Sequence, residues 1–170
     1  MLEVMPINFV SLFELLNAAH VRFVLVGGLA VVLHGFDRLT ADADIIVDLS
    51  IQNAKSTVTA LVAAGYRPLA PVDPLLFADP QVREQWRIHK GMTVFSMWDS
   101  KNERPSVDIF VSSPIPFETL YASSVLIELR GVSVRLASLV HLVAMKRIAG
   151  RDRDLADIRL IESRIAKDRE

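Results

Sequence analysis

The stretch RLTADADIIV, Arg38 to Val47, sets Asp42 and Asp44 one residue apart at the mouth of an apolar run. Charged residues are poor strand formers, and like charges on one strand face repel, so the placement asks for a reason. In an extended strand, residues i and i+2 share a face about 6.6–6.8 Å apart. Asp42 and Asp44 then converge on one volume while Ile45 and Val47 face the core. Asp108 repeats the logic in SVDIFVS, where Val107, Ile109 and Val111 take one side and Asp108 the other. Three carboxylates gathered from neighbouring strands repel in a partly desolvated site, and a divalent cation relieves that repulsion. Magnesium takes oxygen ligands at about 2.0–2.1 Å, commonly one or two carboxylates with waters and substrate phosphates. Two such ions about 3.5–4 Å apart activate an attacking hydroxyl and stabilise a leaving phosphate. The plainer alternative makes Asp42 a turn or capping residue and leaves Asp44 on a solvated strand face.

A second feature lies just upstream. FVLVGGLAVVLHG reads as strand, two glycines, helix. Gly27 and Gly28 let backbone approach a ligand closely, and a helix start offers free N–H groups to phosphate. The pair fits neither a dinucleotide-binding GxGxxG nor a Walker loop, since no Gly-Lys-Ser/Thr follows. Alone, it reads equally as a tight turn.

Together these pieces resemble the DNA polymerase β-like nucleotidyltransferase superfamily. Its signature is a hydrophobic residue, Gly-Gly or Gly-Ser, a gap of about 9–13 residues, then Asp-h-Asp/Glu. Val26-Gly27-Gly28 and Asp42-Ala43-Asp44 match it, and Asp108 matches the third carboxylate from a later strand. Arg38-Leu39-Thr40 and the segment MKRIAGRDRDLADIRLI (145–161) resemble the small bacterial AbiEii-type branch, in which a lysine-bearing helix precedes a Lys/Arg-Asp-Leu-x-Asp helix. The resemblance spans roughly residues 21–48, 106–112 and 132–161. It implies a metal-dependent nucleotidyltransferase that moves an NMP from an NTP to a hydroxyl acceptor, with Mg2+ or Mn2+ as cofactor. Asp42, Asp44 and Asp108 would be the catalytic and metal-binding residues. Gly27 and Gly28 would hold the triphosphate, Arg38 and Thr40 would flank it, and Lys146 and Arg151 would face phosphate. For Lys146, a salt bridge to Asp154 or Asp157 is the competing reading. Many members carry serine at the position of Gly28, whereas here only backbone N–H can serve. The resemblance further implies a toxin-like acceptor, tRNA or a protein side chain, and an antitoxin as partner. Two other readings stand beside it: a catalytically idle nucleotide- or partner-binding module of the same fold, and a small-molecule, antibiotic-modifying nucleotidyltransferase.

Other chemistry is thinner. His20, His34, His89 and His141 form no H-x-x-x-H pair, and Ser112-Ser113 and Ser123-Ser124 lack a hydrolase's glycine elbow. Trp86 and Trp98, near Arg83, Arg87 and Lys90, could stack on and bind a nucleic-acid end, with packing as the alternative for at least one of them.

The elements that must position these groups follow from periodicity. Helices are expected over Phe9–Ala19, Leu29–His34, Asn53–Ala64, Ser138–Ala149 and Asp152–Ala166. Strands are expected over Arg22–Val26, Ala43–Leu49, Tyr66–Leu69, Met92–Trp98 and Ser106–Ser112, with Val125–Leu129 and Val132–Leu136 forming a hairpin across Arg130-Gly131. Pro68, Pro71, Pro74 and Pro80 suggest an irregular loop over 70–90 that can hold a short helix, and 70–105 reads as an insertion or irregular segment. The expected fold is α/β (α+β): one nucleotidyltransferase-like domain over 1–170, its mixed β-sheet flanked by helices and completed by a C-terminal helix pair.

Composition sets the outer bounds. No apolar run approaches the roughly 18 residues of a membrane span. MLEVMPINF shows no basic region followed by a long apolar stretch, so no secretory signal is expected. The chain has no cysteine, which excludes disulfides, thiol nucleophiles and zinc-thiolate sites and points to the cytoplasm. Net charge is −1, yet residues 1–129 carry 9 basic and 14 acidic side chains while residues 130–170 carry 10 and 6. The C-terminal end is a basic element on an acidic body, either a solvated helix or a phosphate-facing one.

Overall fold

The computed structural model describes residues 7–170, so the start of MLEVMPINF lies outside the described residues. Helix α1 (Ile7–Ala18) leads into β1 (Phe23–Val26), all four of whose residues are buried. The strand turns directly into α2 (Gly27–Leu33), followed by β2 (Ala43–Val47) and α3 (Ile51–Ala63). Ser50 caps α3, its side chain accepting the N–H of Asn53. Then come β3 (Tyr66–Pro68), a 3-10 turn (Pro74–Ala78), α4 (Pro80–Lys90), β4 (Val94–Asp99) and β5 (Val107–Phe110). Helix α5 (Phe117–Ala122), the hairpin β6 (Val125–Leu129) and β7 (Val132–Leu136), and the helix pair α6 (Leu139–Ala149) and α7 (Asp152–Lys167) complete the chain.

The strands form one seven-stranded mixed sheet in the order β3-β4-β5-β2-β1-β7-β6. Only β2 with β5 and β1 with β7 run parallel. The fold class, mixed sheet and C-terminal helix pair agree with the expectation from sequence. Among the described residues no helix is long and apolar enough to cross a membrane.

The segment 70–90 is more regular than expected. Its prolines start helices instead of breaking them. Asp73 caps the 3-10 turn at Pro74, and Asp79 accepts from the N–H groups of Gln81 and Val82 with Pro80 in the first turn of α4. Gly91, with φ +60°, closes that helix. Helix α5 was not expected at all; Pro114 and Pro116 hid its start.

One face of the sheet is fully packed. Phe13 of α1 stacks on Phe23, while Phe77 and Trp86 stack on Phe95 with ring centroids 5.5 and 5.2 Å away. Phe95, Met97, Val107, Ile109 and Ile45 on this face have no solvent exposure. Burying side chains of this size contributes about 1.5–3 kcal/mol each. The opposite face is covered over β1 by α5, where the Arg22 guanidinium sits over the rings of Phe117 and Tyr121. Over β5 and β4 it stays partly open, because Ser96, Trp98, Asp108 and Phe110 all keep exposure there. Strand alternation thus divides β4 into a core side and a wet side.

Candidate active site

The site grows out of the junction between β1, β2 and β5. In the antiparallel pair Val26 lies opposite Asp44, and in the parallel pair Asp44 lies opposite Asp108. The two carboxylates are therefore neighbours on the open face. Asp42 stands just before β2, on an exposed turn where the Thr40 hydroxyl donates to its carbonyl at 3.3 Å.

Burial is the main cause that pushes the Asp44 carboxyl up, to about 7, with Asp108 and Asp42 adding repulsion; Arg151 and Arg38 oppose the rise. Asp42 is raised as well, by burial and then by Asp108. At both carboxyls burial is the larger cause and repulsion from the neighbouring carboxylates comes second. On the far side, the Ser96 hydroxyl donates to Oδ1 of Asp108 at 2.6 Å. Ser96 carried no signal in the sequence, since its partnership follows from the register of β4 on β5.

Gly27 is fixed by this arrangement. Its φ is +68°, and a Cβ there would lie 2.7 Å from Cγ of Asp44, so no side chain fits. Gly28 is different. A Cβ at Gly28 would stand 3.2 Å from Nε of Arg38 and 3.3 Å from Oγ1 of Thr40. Gly27, Gly28, Arg38, Thr40 and Asp44 are thus brought together. The N–H groups of both glycines belong to the first turn of α2, where helical geometry provides no acceptor.

The C-terminal helices meet this site through ion pairs. Arg38 donates to Oδ2 of Asp157, which also takes Lys146 Nζ at 2.7 Å. Lys146 is buried and lies 3.6 Å from Asp154, itself almost wholly buried. Arg151 donates to Asp154 at 2.8 Å and keeps about half its side chain exposed. Of the two readings for Lys146, the ion pair is the one these contacts display; they do not bear on a role toward phosphate.

Among the described residues, no group of three His, Cys, Asp or Glu side chains is spaced to hold a metal ion. The donor chemistry nevertheless fits a hard divalent cation: oxygen ligands only, two of them on adjacent strands in register. A cleft of about 350 Å³ opens elsewhere, at the opposite end of β1, lined by Asn17, His20, Arg22, Tyr121 and Arg135. None of the three aspartates lines it, and the carboxylate chemistry lies on the open face instead.

The family model described as Nucleotidyl transferase AbiEii toxin, Type IV TA system, matches residues 11–169. The chain belongs to the AbiEii nucleotidyl transferase family. Solved structures place the AbiEii chain in the same fold. It is similar to the lincomycin-bound lincosamide antibiotic adenylyltransferase LnuA, at 16% identity over 94% of this chain and 98% of that one, with a TM-score of 0.61. It is also similar to ANT(2")-Ia in complex with adenylyl-2"-tobramycin (11% identity, 93% and 87% covered, TM-score 0.57). A third likeness is to an antigenic nucleotidyltransferase-like protein from Paracoccidioides brasiliensis (16% identity, 91% and 72% covered, TM-score 0.58). Comparison with curated protein sequences gives no match. Family and fold together support nucleotidyl transfer by this AbiEii chain.

Proposed function

We propose that the chain transfers a nucleoside monophosphate from an NTP to a hydroxyl acceptor, with Asp42, Asp44 and Asp108 holding Mg2+ or Mn2+. The observation that carries this reading is the in-register pair Asp44 and Asp108 beside Gly27, whose missing side chain leaves room at the carboxylate. A divalent cation bound there would neutralise developing charge on the transferred phosphate and make the acceptor hydroxyl easier to deprotonate. The backbone N–H groups of Gly27 and Gly28 bind the triphosphate, and Arg38 and Thr40 flank it. The acceptor oxygen forms a bond to the α-phosphorus while the α–β phosphoanhydride bond breaks. Pyrophosphate leaves with the bonding pair, and the hydroxyl proton passes to Oδ2 of Asp108, whose Oδ1 is held by Ser96. Arg151 keeps about half its side chain exposed and its charge acts on Asp44, and we assign it to phosphate contact together with Lys146.

The family description supports a toxin whose partner is an antitoxin. Residues 1–170 are taken as one nucleotidyltransferase unit, with 70–105 the part that distinguishes its acceptor. The test is incubation of the protein with each NTP labelled at the α-phosphate, magnesium, and total RNA, total protein or an aminoglycoside or lincosamide. Label on RNA or protein supports the toxin reading, and label on the drug supports the antibiotic-modifying one. A melting temperature raised by Mg-NTP with no acceptor labelled supports the idle nucleotide-binding module, and if no NTP at millimolar concentration moves it, the nucleotide reading falls.

A further inference from the structure

The three carboxylates of the site are not held alike. Among the described residues, Asp108 is the one of the three whose carboxylate takes a hydrogen bond, from the Ser96 hydroxyl to Oδ1 at 2.6 Å. The sheet order fixes the sides: β4 carries Ser96 on one flank of Asp108, and β2 carries Asp44 on the other. The bond therefore ties Oδ1 to the β4 side and leaves Oδ2 without a partner. Nothing intrinsic to an aspartate does this, because its terminal torsion is broad and weakly preferred. Ser96 is in turn fixed by the core. Phe95 and Met97 on either side of it have no solvent exposure, and Phe95 stacks with both Phe77 and Trp86. The Ser96 carbonyl accepts the N–H of Leu69 at 2.9 Å, which ties β4 to the end of β3. A slip of β4 by one residue would turn Ser96 into the core and bring an apolar side chain out, so the register is strongly set.

We propose that Ser96 is a positioning residue for the divalent cation: it anchors Asp108 by Oδ1 so that Oδ2 stays available beside Asp42 and Asp44. The inference rests on the nucleotidyl-transfer reading above and brings a residue of the 70–105 segment into that site. Charge explains why an anchor is needed. Asp108 repels both Asp42 and Asp44, so without a cation an untethered Asp108 side chain gains by swinging away from them. The Ser96 hydroxyl opposes that swing before any cation arrives. A neutral donor also suits the task better than a basic one, because an ammonium or guanidinium at position 96 would compete with the cation for the carboxylate charge. Carboxylates that ligate metals are commonly held by such hydrogen bonds, and losing the partner lowers metal affinity or activity about 10- to 100-fold.

The test is calorimetric titration of the full chain with Mn2+ alone and with Mn2+ plus each NTP, so that no acceptor is required. Three variants separate the hydroxyl from the shape of the side chain. Ser96→Thr keeps the hydroxyl and should bind Mn2+ as the wild type does. Ser96→Val has the same shape as threonine without the hydroxyl, and it should bind about 10- to 100-fold more weakly, as should Ser96→Ala. Melting in EDTA checks that each variant is folded; should Ser96→Val fail to fold, Ser96→Ala carries the comparison. A serine with a merely structural role would alter that melt and leave Mn2+ affinity unmoved. If Ser96→Ala or a folded Ser96→Val binds Mn2+ as tightly as the wild type, the proposal is overturned while the transfer reading stands. Ser96→Thr binding as weakly as Ser96→Val overturns it equally. A wild type that binds Mn2+ neither alone nor with any NTP removes the transfer reading and the proposal with it.

Discussion

Asp44 and Asp108 stand opposite one another across the parallel strands β2 and β5, two carboxylates on adjacent strands of one open sheet face. The burial of Asp44, with repulsion from Asp108 and Asp42 added, has a thermodynamic signature. The folded-state pKa of Asp44, about 7, lies above its unfolded value. Between roughly pH 4 and pH 7 the native state therefore binds a proton that the unfolded chain has lost, so stability falls as pH rises through that window. Asp42 is shifted the same way and adds to the slope. Urea unfolding at about pH 5 and pH 8 in EDTA should show the protein less stable at the higher pH. Asp44→Asn should flatten the profile, leave stability at pH 8 unchanged or higher, and abolish transfer. Millimolar magnesium should restore wild-type stability at pH 8 and leave the variant unmoved. A flat wild-type profile, or clear destabilisation by Asp44→Asn, contradicts the reading of the pair as a charge-strained site.

The two glycines should separate cleanly. Gly27→Ala forces a side chain into left-handed backbone and against the Asp44 carboxylate, and strain of this kind costs about 1–3 kcal/mol. Gly28 has an ordinary φ and needs its neighbours to give only slightly. Gly28→Ser should therefore change stability by less than about 1 kcal/mol. Its hydroxyl, the group many members carry here, should tighten Mg-NTP binding. Thermal melts and nucleotide titrations on both variants check this; weaker nucleotide binding by Gly28→Ser would show that the slot is already closed by Arg38 and Thr40.

Lys146 bears on how the helix pair is held. It is 8% exposed and lies between Asp154 and Asp157. Removing one partner of a buried ion pair costs about 3–5 kcal/mol; because Asp154 keeps Arg151 and Asp157 keeps Arg38, Lys146→Ala should cost about 2–3. A variant that melts like the wild type yet binds nucleotide more weakly would place the lysine's role on phosphate alone.

The sequence was legible where local signals and tertiary packing agree. The hairpin Val125–Leu129 and Val132–Leu136 has the expected bounds because Arg130 and Gly131, both at positive φ, form its turn. Asp42, Asp44 and Asp108 stood out as charges interrupting apolar runs. The segment Pro80–Lys90 was misread because a proline after a capping aspartate starts a helix, whereas composition alone flags it as a breaker. Ser96 was invisible, since its bond to Asp108 depends on which residue the register of β4 places opposite. Arg83 illustrates the same limit. It reads as a surface cation beside Trp86, yet it is buried and donates to the carbonyls of Phe77 and Leu49.

The longest-range link to the site is Arg38 with Asp157, which ties the segment before β2 to α7. Each side chain keeps only about a quarter of its exposure, so the pair should be worth more than a surface bridge. A double-mutant cycle with Arg38→Ala and Asp157→Ala should give a stability coupling of about 1–2 kcal/mol. Function discriminates further. If Asp157 acts by holding Arg38 beside Gly28, Asp157→Asn should raise KM for NTP in the presence of Arg38 and have no further effect in an Arg38→Ala background. If Arg38 and Asp157 serve independently, their effects on KM add. Additive effects in both stability and KM would mean that α7 braces the fold without positioning the nucleotide site.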